Sequence, residues 1–128
     1  MVQKRAHHWL VQAKSDLLFA KSALREGFYA QCCFICQQAV EKALKSALLS
    51  RGALVVLTHS LKKLCELLRL NGRLEEAATR LDQYYLSGRY PDALPDGAPC
   101  EVFTRAQAEE AVRFATQLIQ AAKKKIAK

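Results

Sequence analysis

The sequence predicts an all-α fold, an up-and-down helical bundle of four to five helices in which residues 1–128 form a single domain. Apolar residues recur at three- and four-residue spacing through five separate segments. The connectors between them are short or rich in Gly, Asn and Pro, and no segment shows a convincing strand alternation. A chain of 128 residues with 51% hydrophobic content is enough to bury one well-formed core.

The first helix is predicted over residues 5–26, with Ala6, Trp9, Leu10, Ala13, Leu17, Ala20 and Leu24 on one stripe. Gly27 lies past its end as a left-handed cap. Asp16 borders the stripe, where an unpaired carboxylate is costly, so it reads as a structural residue with a cationic or hydrogen-bonding partner.

The second predicted helix, residues 28–50, FYAQCCFICQQAVEKALKSALLS, is the central one. It contains no Gly or Pro, and good helix formers fill its second half. Tyr29, Cys32, Cys33, Cys36, Ala39, Val40, Ala43, Leu44 and Ala47 form a broad apolar arc, and Gln31, Gln38, Glu41, Lys42 and Lys45 the opposite polar one. Phe34 and Ile35 fall inside the polar arc. The N-terminal half must therefore touch packing partners on more than one side, from its own chain or from a second copy, and Phe34 and Ile35 are assigned to a dimer interface.

Arg51 and Gly52 stop this helix, and Val55 and Val56 suggest an extended connector over residues 53–57 that crosses the bundle. Thr58 or Ser60 caps a third helix that buries Leu61, Leu64, Cys65 and Leu68 before Asn71 and Gly72 end it. His59 thus stands at a helix start, where it can cap or pack the turn. A fourth helix spans residues 74–87, with Leu74, Ala77, Ala78, Leu81 and Tyr85 at helical spacing. The stretch GRYPDALPDGAP that follows is the one long irregular segment, with Tyr90 pushed to extended geometry by Pro91. Thr104 and Gln107 form a capping box for the last helix, which runs to about residue 126 with Ala108, Ala111, Val112, Ala115, Leu118, Ile119 and Ala122 inward. Glu109 and Glu110 early and Lys123, Lys124 and Lys125 late suit its dipole.

A net charge of +8, from 20 Lys and Arg against 12 Asp and Glu, leans toward phosphate-bearing partners. The basic residues are nevertheless spread through every segment, as on solvated helix faces, and there is no zinc-finger spacing, heptad zipper or basic–aromatic alternation of a DNA-reading module. No apolar run is long enough for a membrane span, and the start MVQKRAHHW lacks the apolar stretch of a secretion signal, so the expected location is cytoplasmic. Of the five cysteines, all expected to be free, Cys32, Cys33 and Cys36 on the central helix read as small buried hydrophobes, and with no second cluster of ligands no metal is expected. No cofactor is expected either.

Six blocks in order, W-L-x-x-A-x-x-D-L at 9–17, G-x-Y-A-x-x-C-F at 27–34, Q-Q-A-V-E-K-A-L-K at 37–45, T-H-S-L at 58–61, L-D-x-Y-Y at 81–85 and R-Y-P-D-A at 89–93, resemble the HEPN domain family. The closest flavour is the small stand-alone prokaryotic type, which is also similar to the HEPN domain of sacsin. The resemblance implies a dimerising helical bundle, a link to nucleotide or RNA binding, and frequent pairing with a minimal nucleotidyltransferase. Many relatives are metal-independent ribonucleases with a late Arg followed after four to six residues by a His. This chain lacks that motif: its only His beyond the N-terminus is His59, and none follows Arg89, Arg105 or Arg113.

The reading is therefore a non-catalytic, dimeric binding protein whose phosphate or nucleotide ligand meets Arg89, Tyr90, His59, Lys45 and Tyr85. A guanidinium on a Pro-fixed loop can fork onto phosphate oxygens, with Tyr85 or Tyr90 as a stacking face. Asp16, Glu41 and Asp82 are structural polar residues, and Glu41 with Lys45 is also an ordinary i, i+4 helix pair. In the structural reading of Arg89, it pairs with Asp82 or Asp92 and anchors the loop. The alternatives for the whole chain are a ribonuclease toxin of a toxin–antitoxin pair and a purely structural dimerisation or adaptor domain.

Overall fold

A computed structural model describes residues 2–53 and 56–126, with side chains from residue 4 onward. The helices are α1 (Val2–Glu26), α2 (Tyr29–Ser50), α3 (Leu61–Leu67), α4 (Arg73–Asp82), α5 (Tyr84–Ser87), α6 (Pro99–Val102) and α7 (Arg105–Lys125). One 3₁₀ turn lies at Pro91–Ala93, and the described residues contain no strand. The predicted long fourth helix is broken at Gln83 into α4 and α5, and the proline-rich loop holds the 3₁₀ turn and α6. The extended connector predicted from Val55 and Val56 falls partly on residues 54 and 55, outside the described residues.

Local signals set the helix ends. Gly27, at φ +86°, lets the Phe28 N–H reach the Ala23 carbonyl and its own N–H the Leu24 carbonyl, the paired bonds that close a helix and turn the chain back. With only two residues between them, α1 and α2 run antiparallel. Ser60 caps α3 by accepting from the Lys63 N–H, and Thr104 and Gln107 exchange both bonds of the capping box at α7. The end of α3 differs from expectation: Arg69, at φ +58°, makes the left-handed turn and Leu70 donates to the Cys65 carbonyl, so the helix stops before Asn71 and Gly72. Leu70 is buried, and its burial offsets the cost of a left-handed arginine.

The long helices alternate in direction. Ser46 near the end of α2 donates to the Ala6 carbonyl near the start of α1. Arg51 Nε donates to the Lys125 carbonyl, and Cys32 lies against the Ala108 carbonyl, so α7 runs parallel to α2. Arg80 and Tyr84 meet Glu110 and Phe103 near the start of α7, which makes α4 antiparallel to it. Hence α1, α2, α4 and α7 go up, down, up and down, with α3 as an added arm. α2 contacts every other α-helix of the fold.

The core is rich in small side chains. Ala6, Ala13 and Ala20 on α1 and Ala108, Ala111, Ala115 and Ala122 on α7 are buried, which lets both helices approach α2 closely. Cys32, Cys33, Cys36 and Cys65 are free and buried, and Cys100 is free and exposed. Burial pushes the thiols of Cys33 and Cys65 from 9.0 up to about 12. Cys36 is raised too, first by its hydrogen bond to Cys32 and then by burial, and the same bond lowers Cys32. A neutral thiol is thus favoured in the fold at Cys33 and Cys65. Their stabilising contribution is complete below about pH 9 and falls as pH rises from there toward 12, because the unfolded chain ionises first. Thiol titration is expected to find one reactive group in the native protein and five after denaturation, and urea midpoints should decline above pH 9 but not between pH 7 and 8.5.

Candidate functional site

One ridge of α2 carries Gln37, Glu41 and Lys45 at i, i+4 and i+8. Glu41 and Lys45 lie in the polar arc read from the sequence, yet both are buried, with side chains only 8% and 7% exposed, because α3, α4 and α5 pack against this side of α2. Lys45 Nζ donates to Glu41 at 3.0 Å. Within the bundle such a pair is no longer the surface i, i+4 bridge expected, since removing one partner strands the other charge at a cost of about 3 to 5 kcal/mol. The Lys45 ammonium, expected among the ligand-binding groups, is thus buried and paired with Glu41.

The same ridge fixes the chain at the start of α3. Gln37, fully buried, donates to the His59 carbonyl at 3.1 Å and reaches Asp82 at 3.5 Å, while its oxygen accepts from Gln38. Asp82 accepts from the backbone N–H groups of Leu61 at 2.8 Å and Lys62 at 3.1 Å, so a side chain from α4 satisfies orphan donors of α3. His59 is thereby held with Nδ1 at 3.1 and 3.3 Å from the two oxygens of Glu41. A carboxylate can only accept, so the ring proton lies on Nδ1. The rest of the imidazole is accessible, with the side chain 57% exposed, and stacks on Tyr85 at 5.3 Å and 21°.

Tyr85 also meets Arg89. The guanidinium carbon lies 4.4 Å from the ring centre of Phe34 and 4.9 Å from those of both Tyr85 and Tyr90, and Nε donates to the Tyr85 carbonyl at 3.0 Å. No carboxylate of a described residue pairs with it: Asp82 is occupied at α3, and Asp92 is not in contact. The cation is thus held by ring faces and one carbonyl, and its terminal N–H groups are unclaimed. Gly88 permits this. A Cβ there would stand 2.9 Å from the Tyr84 carbonyl oxygen, 3.1 Å from Phe34 Cβ and 3.3 Å from the Ala30 carbonyl oxygen, so the end of α5 rests directly on α2.

Of the residues expected at the site, the structure brings His59, Tyr85, Arg89 and Tyr90 together, with Lys45 behind them. Phe34, assigned to a dimer interface, carries Arg89 on its ring, and Ile35 packs partly buried against the core. Asp16 lies away from the site, paired with Lys42 and Gln12. The lysines at 123–125 end beside Arg51, about 25 Å along α2 from Phe34. Sequence reasoning misses Gln37 and Gly88. The i, i+4, i+8 spacing of Gln37, Glu41 and Lys45 is the available signal for the first; nothing local marks the second.

The HEPN domain family model matches residues 6–126. No curated protein matches the chain. Among solved structures, TT1696 from Thermus thermophilus is 42% identical with a TM-score of 0.89, the match covering 94% of this chain and 98% of that one. ST0689, an archaeal HEPN homologue, is 32% identical with a TM-score of 0.79, covering 95% and 98%. A HEPN domain protein of Thermotoga maritima, TM0613, is 33% identical with a TM-score of 0.69, covering 92% and 96%.

Because the Gly88 contacts are to backbone oxygens and a Cβ, they have little freedom to give way. Gly88→Ala is expected to cost about 1 to 3 kcal/mol in urea denaturation; a variant as stable as wild type would show that α5 can lift from α2 without loss.

Proposed function

Because the chain belongs to the HEPN domain family, we propose that it is a non-catalytic member that binds a phosphate of a nucleotide or nucleic acid at Arg89. The observation that carries this is the guanidinium held over three rings with no carboxylate partner among the described residues, so its fork of donors is available for phosphate oxygens. His59 stands beside it through Tyr85 and supplies a further polar edge, while Glu41 and Lys45 hold His59 from behind. Assembly as a homodimer is supported by the outer face of α1, where Val11 and Leu18 are 50% and 67% exposed. The minimal nucleotidyltransferase partner rests on family membership alone.

A second reading has its own support. Glu41 orients His59 as a carboxylate orients a general acid or base, and Arg89 shares the ring of Tyr85 with that His, although the late Arg and His spacing is missing. This arrangement fits metal-independent RNA cleavage.

Arg89→Ala should lower affinity for a 5′-mononucleotide by about 1 to 3 kcal/mol in calorimetry, the range of charge-assisted hydrogen bonds. Replacing Lys123, Lys124 and Lys125 together should cost less and mainly flatten the salt dependence; the reverse ranking would make Arg89 a loop anchor. For the second reading, purified protein in EDTA is expected to cleave RNA and His59→Gln to abolish cleavage, whereas an inactive wild type leaves the non-catalytic reading standing.

A further inference from the structure

A groove of about 500 Å³ crosses the N-terminal half of α2, between α1 and the loop that carries Arg89. That volume suits a small organic ligand. Phe19, Phe34, Ile35, Pro91 and Pro99 contribute carbon to its walls, and among the described lining residues Arg89 is the only charged one. The lining therefore suits an occupant with a flat face to lie on carbon and a single anionic group.

Two further observations narrow it. The guanidinium lies over Phe34, Tyr85 and Tyr90, so those rings are engaged, while Phe19 is 59% exposed and has no aromatic or cationic partner among the described residues. Gln31 also lines the groove, is exposed, and makes no hydrogen bond to a described residue. A side-chain amide offers a donor and an acceptor side by side. That is the complement of the N6–N7 edge of adenine, a donor beside an acceptor, where guanine presents two acceptors and the pyrimidines a single polar group.

We propose that the groove is the base-binding half of the Arg89 site and takes an adenosine monophosphate unit, free or within a single strand. The phosphate is forked by Arg89, the base lies on Phe19, and Gln31 reads its edge. One guanidinium, with no second cation among the described lining residues, matches one phosphate rather than a triphosphate. The inference rests on the phosphate reading of Arg89 and adds Phe19 as stacking platform and Gln31 as the residue that sets base preference.

Calorimetry of the full chain with AMP, GMP, CMP and UMP tests it, with a short oligoadenylate as a further arm. AMP is expected to bind at least fivefold tighter than the other three. Phe19→Ala should weaken AMP by fivefold or more, the scale of one base–aromatic stack. Gln31→Ala should bring AMP within about twofold of CMP and UMP without weakening those two, whereas Arg89→Ala should weaken all four about tenfold. Phe19 and Gln31 are exposed, so these variants keep their fold, which their urea midpoints verify. Tighter binding of the oligoadenylate than of AMP identifies a strand as the source, and the opposite ranking a free nucleotide. If Arg89→Ala weakens binding but Phe19→Ala and Gln31→Ala do not, the groove proposal is overturned and the phosphate reading survives. Binding indifferent to Arg89→Ala overturns both, as does no binding of any nucleotide at millimolar concentration. If light scattering shows that Phe19→Ala splits a dimer while AMP binding is unchanged, the groove belongs to a second copy and the proposal fails.

Discussion

The buried carboxylate of Glu41 needs partners, because α2 is enclosed by the other helices and little of the side chain reaches solvent. Lys45, one turn further along the same helix, supplies the charge, and His59 supplies a ring N–H from the connector into α3. Satisfying that carboxylate therefore fixes where the connector crosses α2. Gln37 reinforces the same placement by holding the His59 carbonyl, and Asp82 ties the start of α3 to α4. Removing Glu41 would leave the Lys45 ammonium buried without its carboxylate and release His59, so this group of side chains persists as a unit.

From that pair a line of contacts leads outward. His59 leans on Tyr85, Tyr85 meets Arg89, and Arg89 spreads over Phe34 and Tyr90. Each step hands positional order from the core to a more exposed group, and the last group is a cation with no anion of its own among the described residues. Such a cation is preorganised: little rotamer freedom would be left to lose on pairing with an anion, unlike a lysine tail extending into water. The distinction matters in a chain of net charge +8, where many cations compete for any anion and only geometry can separate a site from the general field.

Much of the fold was legible because its determinants are local. The apolar spacing of α1, α2 and α7, the left-handed Gly27, the Ser60 cap and the Thr104–Gln107 box each depend on residues within a turn of one another. The site was less legible. Glu41 and Lys45 at i, i+4 look the same on a solvated face as under another helix, and only the packing of α3, α4 and α5 decides between the two. Phe34 falls in the polar arc of its helix, and the partner for its ring comes from fifty-five positions along the chain, from Arg89. Gly88 reads as a loop glycine beside Arg89; its need for a bare Cα arises from α2, which no neighbour in sequence reports. Arg69 carries a left-handed turn normally given to Gly or Asn, and the reason, the burial of Leu70, is again tertiary.

The central claim is that Arg89, held by aromatic rings at the end of this line, is the group that receives phosphate. NMR observation of the arginine Nε–Hε resonances during a titration with inorganic phosphate tests it most directly. The Arg89 signal is expected to shift and saturate while the backbone amides of residues 123–125 stay still. A saturating shift at residues 123–125 with Arg89 unmoved would contradict the account.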